Sequence, residues 1–198
     1  MASKGTTDFA TSILALFMLA LTPLAQAGES PGSGGHNAAG KAESPYLVLI
    51  SVDGFSADYM SIYPTPALDR ITVAGIRAES MRPVFPSLTF PNHYSIATGL
   101  YPSEHGIVHN HFPDETRGNW YHLWDRSDVE DGRWYGGEPI WVTAEKNGLV
   151  SAAYYFVGTE AAIQGVPPSH WHSFDASVPG SERVATVIDW LQWPEDRR

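Results

Sequence analysis

The chain has 198 residues, of which 43% are hydrophobic, 12% aromatic and 17% charged, a composition typical of one globular domain. Twelve Lys and Arg against 22 Asp and Glu give a formal net charge of −10, which argues against tight non-specific binding to nucleic acid. A phosphorylated substrate stays open, because bound metal ions can reverse the local field. The chain has no cysteine, which excludes disulfides, thiolate catalysis and cysteine-ligated zinc.

The N-terminus has the pattern of a cleavable export signal. Lys4 precedes an apolar stretch at 13–24 (ILALFMLALTPL), and the following Ala25-Gln26-Ala27 matches the small-x-small cleavage rule. The stretch is shorter than the roughly 20 residues that a membrane-spanning helix needs. An uncleaved anchor is the alternative. We therefore expect residues 1–27 to be a signal peptide and the mature protein to be secreted or periplasmic, with no stable membrane span.

The next segment, residues 28–44 (GESPGSGGHNAAGKAES), is rich in Gly, Ser and Ala and has almost no large apolar residue. Such a composition buries too little surface to become ordered, so it predicts a flexible linker. The folded region is expected over 45–198.

Strand and helix patterns alternate along that region. Residues 46–52 (YLVLISV) form a continuous apolar stretch, which is typical of a strand buried on both faces of a parallel sheet. Three helices are predicted where proline opens a segment and glycine or asparagine ends it, and a fourth is predicted from its apolar stripe. A second strand is predicted among residues rich in Val, Ala and Tyr. The predicted helices are 66–74, 92–98, 139–146 and 182–193, and the other extended segments are 76–84 and 149–157.

This alternation predicts an α/β fold with a mostly parallel sheet flanked by helices. In helix 182–193 the apolar residues Val184, Val187, Ile188 and Leu191 form one stripe, which should face the core. Few strands are recognisable, and the chain stops just after a helix. Either the domain is incomplete, or further strands lie unrecognised between residues 100 and 136.

Three polar residues could carry chemistry. Asp53 follows the first predicted strand, where a carboxylate can hold a divalent cation, although Asp-Gly is also a common turn. Thr89 lies beside a predicted helix N-terminus, which favours a phosphoryl group, although a threonine there can simply cap the helix. Asn110 could donate to an oxyanion, or it could be an ordinary loop asparagine.

Five histidines lie within 30 residues: His93, His105, His109, His111 and His122. His109 and His111 would share a face on a strand and could chelate zinc. None of the spacings matches a known metal site, so the simpler interpretation is that most of these histidines are polar loop residues.

Several segments together resemble the nucleotide pyrophosphatase/phosphodiesterase family of the alkaline phosphatase superfamily. They are VLISVDGF at 48–55, TPALDRI at 65–71, MRPVFPSLTFPNHYSIATGLYPSEHGIVHN at 81–110, PIWVTAEKNG at 139–148 and YYFVGTE at 154–160. The resemblance implies an alkaline-phosphatase-like sheet, two zinc ions, and cleavage of phosphodiester and pyrophosphate bonds in nucleotides or related small molecules.

The resemblance also implies roles for individual residues. Thr89 matches the nucleophile, which contacts a zinc ion and becomes transiently nucleotidylated, and Asp53 matches a zinc ligand. Asn110 matches the side chain that stabilises a phosphate oxygen. Phe90 matches an aromatic that stacks on the nucleobase, and Phe174 is a candidate for the opposite face.

The family's other zinc ligands have no counterpart in this chain. We therefore expect residues 45–198 to represent the N-terminal half of the catalytic domain. The alternative to an active enzyme is an inactive fragment, or an exported module that binds nucleotides without cleaving them.

Overall fold

A computed structural model describes residues 28–29, 35–41 and 44–198. The predicted signal peptide, residues 1–27, lies outside the described residues. The α-helices run in the order α1 (Tyr59–Ile62), α2 (Pro66–Ala74), α3 (Thr89–Thr98), α4 (Pro102–His105), α5 (Arg126–Val129), α6 (Ile140–Lys146) and α7 (Gly180–Leu191). The strands are β1 (Gly28–Glu29), β2 (His111–Asp114), β3 (Asn119–His122), β4 (Ala152–Tyr154) and β5 (His170–His172). Short 3-10 helices cover Gly132–Trp134 and Ile163–Gly165.

The strands form two small sheets. In the first, β4 and β5 are parallel, with Ala152 opposite His170, and β1 pairs antiparallel with the other edge of β5. The second sheet is the antiparallel hairpin of β2 and β3, in which His111 lies opposite His122. This hairpin falls between residues 100 and 136, where the sequence patterns did not reveal strands. Helices with a parallel strand pair confirm the α/β class.

The segment predicted as a linker is described in part, and its described residues contact the end of the chain. The side-chain amide of Asn37 donates to the carbonyl oxygens of Glu195 at 3.0 Å and Arg198 at 2.8 Å. The backbone N–H of Ala38 donates to Gly148 O at 2.7 Å. The boundary between linker and folded region at residue 45 stays a prediction.

The strand predicted over residues 46–52 is wrong for this chain. The segment forms no regular element, and its apolar side chains are open to solvent, with Leu47 80% and Ile50 76% exposed. A strand buried on both faces needs neighbouring strands and covering helices. In the described part of the chain no strand pairs with residues 46–52, so the apolar pattern has nothing to be buried against.

Predicted helices were more successful. The helix α2 has the predicted bounds, with Pro66 at its first position and Gly75 after its last. The helix α6 begins at Ile140, one residue later than predicted, because Pro139 is its extended N-cap. The helix α3 begins at Thr89, three residues earlier than predicted. Pro91 is compatible with this start, since N–H groups of the first turn have no intrahelical acceptor.

The helix α7 was predicted two residues too late at each end, and most of the apolar stripe expected to face the core is exposed. Val184, Ile188 and Leu191 are 59%, 50% and 41% exposed. The helix instead packs through Trp190, which stacks on the His172 ring with centroids 5.6 Å apart, and through Arg183, whose guanidinium lies 4.9 Å from the Tyr155 ring centre. Hydrophobic periodicity identified the helix, but aromatic and cation–π contacts select the packed face.

Aromatic side chains form much of the core against which α3 packs. Tyr94 is fully buried, contacts the Tyr135 ring edge-to-face at 5.2 Å, and donates through its hydroxyl to Gly136 O at 3.0 Å. Phe112 stacks on Tyr121 with centroids 5.1 Å apart. This core therefore holds α3 against the β2–β3 hairpin.

In the described ranges, no helix is long and apolar enough to cross a membrane.

We expect Tyr135→Phe to destabilise the fold more than Tyr121→Phe. Tyr135 Oη donates to Val129 O at 3.1 Å, so it accepts from Tyr121 Oη at 2.8 Å. Tyr135→Phe leaves a buried carbonyl and a buried hydroxyl donor without partners, which costs about 1–3 kcal/mol. Tyr121→Phe keeps the bond to Val129 and should cost about 0.5–1.5 kcal/mol. Urea unfolding of both variants measures the difference. Equal losses, or a larger loss in Tyr121→Phe, would contradict this hydrogen-bond direction.

The interpretation of the histidines as mostly loop residues is wrong. His93 and His105 lie buried in α3 and α4, and His111 and His122 face each other on β2 and β3 with ring centroids 4.0 Å apart. His109 lies just before β2, and its Nδ1 accepts the His111 backbone N–H at 3.1 Å. Tertiary packing therefore uses histidines as core and sheet residues.

His105 makes the fold more stable at neutral than at mildly acidic pH. Its ring is fully buried, and Nδ1 accepts from the Ile107 N–H at 3.2 Å, so Nε2 donates to Ser95 Oγ at 2.8 Å. Burial lowers the pKa of His105 below its ordinary value of 6.5, so the unfolded chain binds the proton more readily. The His105 contribution to stability is therefore complete above pH 6.5 and declines as pH falls from there toward the folded-state pKa.

The measurement is the free energy of unfolding from urea titrations at several pH values. We expect a smaller decrease between about pH 7 and 5 in His105→Gln than in the parent chain. Burial also lowers the pKa of His172, which acts in the same direction, so the variant should not be completely flat. An unchanged pH slope in His105→Gln would contradict the assignment.

Candidate active site

Thr89 is the first residue of α3. Leu88 precedes it as N-cap, with extended backbone (φ −119°, ψ 158°) and no side-chain cap hydrogen bond. The capping alternative for Thr89 is therefore wrong, because the capping position belongs to its neighbour. Leu88 has no polar side chain, so the N-cap residue itself does not cap the first turn of α3.

Asp53 lies directly opposite this hydroxyl. Thr89 Oγ1 donates to Asp53 Oδ2 at 3.0 Å, although the two residues are 36 positions apart. The Asp53 side chain is 64% exposed, and Gly54 turns the chain after it with a φ of 67°. The carboxylate therefore does more than cap a local turn: it connects the segment after residue 52 to the start of α3.

Asn110, which follows α3 in the chain, contacts the same helix start. Its Oδ1 accepts the Phe90 backbone N–H at 3.0 Å, in the first turn of α3. Since a backbone N–H can only donate, the amide oxygen faces the helix. In the part of the chain that the structure describes, the Nδ2 group donates no hydrogen bond. The two Nδ2 hydrogens are thus not used by other described residues, and donors of this kind can stabilise an oxyanion.

The two predicted aromatic residues, Phe90 and Phe174, pack against different parts of the protein. Phe90 is half-buried and packs on Tyr121, with ring centroids 6.1 Å apart. Phe174 is 48% exposed and contacts the edge of Tyr155 at 5.1 Å, while its N–H donates to Glu160 Oε2 at 2.9 Å. Among the described contacts none joins Phe174 to Phe90, Thr89 or Asn110, so the structure brings together four of the five predicted residues.

His93 belongs to this cluster, although its sequence environment did not single it out. It is 8% exposed, its Nδ1 lies 2.6 Å from Ser51 Oγ, and its Nε2 lies 3.5 Å from Asp53 Oδ1. Thr89 and His93 are four residues apart, which places them on one face of α3. A helix predicted to start at residue 92 hides this relation.

The donor atoms at this site can be compared with those that a zinc site needs. Asp53 and Thr89 offer two oxygen atoms at one place, and oxygen donors of this kind bind divalent cations. Zinc sites use about three or four protein ligands. Across the described ranges there is no group of three or more His, Cys, Asp or Glu residues that could hold a metal ion. The residues present therefore do not complete a zinc site.

The sequence profile of the type I phosphodiesterase/nucleotide pyrophosphatase family matches residues 47–198. Human ectonucleotide pyrophosphatase/phosphodiesterase family member 1 is 40% identical over 158 residues, covering 79% of this chain and 17% of that protein. The venom phosphodiesterase CdcPDE of Crotalus durissus collilineatus is 40% identical over 162 residues, covering 81% of this chain and 19% of the relative.

Solved structures give the same result. Murine ectonucleotide pyrophosphatase/phosphodiesterase 5, in an inactive threonine-to-alanine variant with AMP bound, matches with a TM-score of 0.68 and 32% identity over 73% of this chain and 39% of that chain. The human counterpart matches with a TM-score of 0.69 and 35% identity, covering the same fractions. These similarities confirm the alkaline-phosphatase-like α/β fold.

The chain spans less than a fifth of the length of these two sequence relatives and about two fifths of the solved chains. Its match to the family profile nevertheless extends over 152 residues, three quarters of its length. The chain therefore belongs to the type I phosphodiesterase/nucleotide pyrophosphatase family.

Proposed function

We propose that this protein hydrolyses phosphodiester or pyrophosphate bonds of nucleotides with Thr89 as the nucleophile. The observation that carries the proposal is the hydrogen bond from Thr89 Oγ1 to Asp53 Oδ2, at a helix start that also holds Asn110. Support comes from the relatives, which are phosphodiesterases by name, and from the related murine structure, in which an inactive threonine-to-alanine variant binds AMP.

The proposed reaction has two displacements at phosphorus. Thr89 Oγ1 forms a bond to the phosphorus atom while the bond to the leaving oxygen breaks, and the proton of the Thr89 hydroxyl passes to that leaving oxygen. Water then attacks the nucleotidylated threonine, releases nucleoside monophosphate and restores the hydroxyl. In this proposal the Asn110 amide hydrogens and the start of α3 stabilise the charge on the non-bridging oxygens.

Asp53 orients the Thr89 hydroxyl through the hydrogen bond between them. A carboxylate is a much weaker base than an alkoxide, so this bond alone does not deprotonate threonine. We propose that Asp53 and Thr89 are two ligands of a zinc ion, and the described residues do not provide the rest of that site. Zinc titration calorimetry tests this: Asp53→Asn should weaken binding, and equal affinity would reject the assignment.

Phe90 and Phe174 are the proposed contacts for a nucleobase. Phe90 exposes part of its ring directly after the nucleophile, and Phe174 is the more exposed of the two. Aromatic faces stack on planar rings. Replacing Phe90 with leucine should raise the KM for a nucleotide diester and leave that of a small aryl diester unchanged. Equal effects on both substrates would reject base stacking.

We also propose that the protein is exported. The pattern at residues 1–27 supports this, together with relatives named as ectonucleotide and venom enzymes. N-terminal sequencing of the protein recovered outside the cytoplasm should begin at Gly28. Retention of residues 1–27 would indicate an anchor instead.

The central test is an assay of the purified 198-residue chain with added zinc. We expect it to cleave a chromogenic phosphodiester faster than the matching phosphomonoester, and to release AMP and pyrophosphate from ATP. Release of inorganic phosphate from ATP would contradict the proposed bond specificity. Absence of turnover in a folded chain would reject the enzymatic proposal for this polypeptide.

A second function, binding of nucleotides without cleavage, is favoured by one observation: the described residues contain no group that could complete a metal site. Saturable AMP binding without turnover would support this alternative. Fluorescence of the tryptophans, or calorimetry with AMP, measures it independently of catalysis.

A further inference from the structure

One buried imidazole connects to two residues of the segment that carries Asp53. His93 Nδ1 lies 2.6 Å from Ser51 Oγ, and Nε2 lies 3.5 Å from Asp53 Oδ1. Ser51 and Asp53 are two positions apart in a segment without regular structure. Among the described residues no strand pairs with residues 46–53. Side-chain contacts of this kind therefore connect the segment to α3.

The groups that face the His93 ring determine which of its two nitrogens carries the hydrogen. A carboxylate accepts hydrogen bonds, so Nε2 must carry its hydrogen when it faces Asp53. In the neutral ring, Nδ1 is then the acceptor, and the Ser51 hydroxyl donates to it. The separation of 3.5 Å is long for a hydrogen bond, so the contact with Asp53 is mainly electrostatic.

We propose that His93 is a positioning residue: it holds the Asp53 carboxylate in the orientation that accepts the Thr89 hydroxyl. Asp53 uses Oδ2 for Thr89 and presents Oδ1 to His93, so the carboxylate lies between the two side chains. Both partners come from one face of α3, four residues apart. The inference rests on the proposed function where it concerns turnover, but the geometry can be tested without it.

A purely structural role is the competing explanation. The His93 ring also contacts Phe156 edge-to-face at 6.2 Å, and it is 8% exposed, as a core residue would be. The test must therefore separate the contact with Asp53 from packing and from the contact with Ser51.

Two substitutions make that separation. The side-chain amide of His93→Gln reaches the position of Nε2 and keeps a donor toward Asp53. The amide oxygen of His93→Asn overlays Nδ1, accepts from Ser51, and leaves Asp53 without a donor. If positioning acts through Asp53, kcat should fall by about 10- to 100-fold in His93→Asn at unchanged KM, and His93→Gln should recover most of it. Equal losses in both variants would overturn the proposal.

An NMR measurement on the 198-residue chain does not depend on turnover. In long-range nitrogen–proton spectra, His93 should show a protonated Nε2, and a neutral ring protonated at Nδ1 would overturn the proposal. Three-bond couplings to the Thr89 methyl group should report one side-chain rotamer in the parent and in His93→Gln, and averaging in His93→Asn. The same rotamer in all three chains would also overturn it.

The two proposals fail differently. If Thr89→Ala retains turnover, the proposed nucleophile is wrong, whatever the His93 spectra show. If turnover depends on Thr89 but His93→Asn is as active as the parent, only the positioning role is wrong.

Discussion

Replacing Thr89 with alanine should abolish phosphodiester turnover, with a decrease in kcat of roughly 10³-fold or more, because alanine has no hydroxyl to attack phosphorus. The matched control is Thr89→Ser, which keeps the hydroxyl at the first position of α3 and should retain a nucleotidylated intermediate. Steady-state rates with a chromogenic diester, and mass spectrometry of the chain after rapid acid quenching, measure both effects. The added mass should be that of a nucleotidyl group and not that of a phosphoryl group.

Loss of stability would confuse this result, so unfolding must be measured in the same variants. Thr89 has one side-chain hydrogen bond, to a largely exposed carboxylate, so its removal should change the free energy of unfolding by no more than about 1 kcal/mol. Turnover in Thr89→Ala within tenfold of the parent chain would reject Thr89 as nucleophile. A serine variant as inactive as the alanine variant, yet folded, would also contradict the proposal.

Replacing Asn110 with aspartate should lower kcat by about 10²–10³-fold with little loss of stability. The carboxylate still accepts the Phe90 N–H, so the first turn of α3 keeps its partner. What changes is the Nδ2 group: two N–H donors are replaced by an anionic oxygen that repels a phosphate. Rates with a diester substrate and urea unfolding separate the catalytic effect from the structural one.

Asn110→Ala is the matched control, because it removes both the donor and the acceptor. It should lose a similar share of kcat, and should in addition lose stability, since the part-buried Phe90 N–H loses its acceptor. If Asn110→Asp turned over as fast as the parent chain, the amide would have no role at the phosphate. If only the alanine variant were slow, the role of Asn110 would be to support α3.

Much of the local structure could be predicted from the sequence. Proline at the first position and glycine after the last identified α2 with its correct bounds, because these residues act on the backbone next to them. The start of α3 was predicted three residues late, since Pro91 was taken to precede the helix, whereas it is the third helical residue. That error had a consequence, because it hid the shared helix face of Thr89 and His93.

Side-chain packing was predicted less well than the elements themselves. The apolar stripe of α7 was expected in the core, but the helix packs through Trp190 and Arg183. The hairpin of β2 and β3 was missed because each strand has four residues and mixes aromatic with polar side chains. Short strands depend on cross-strand partners, and a linear pattern does not contain those partners.

The sequence by itself determined the family, the α/β class, most helices, and the candidates Asp53, Thr89 and Asn110, because these depend on local backbone rules and on contiguous motifs. Only the tertiary structure decided that the Thr89 hydroxyl donates to a carboxylate 36 residues away, that Asn110 presents its oxygen to α3, and that His93 lies against Asp53. The physical reason is that a hydrogen bond between distant residues depends on where the chain brings two atoms together. Residue types and their spacing define which atoms can pair, and folding selects the pairs that form.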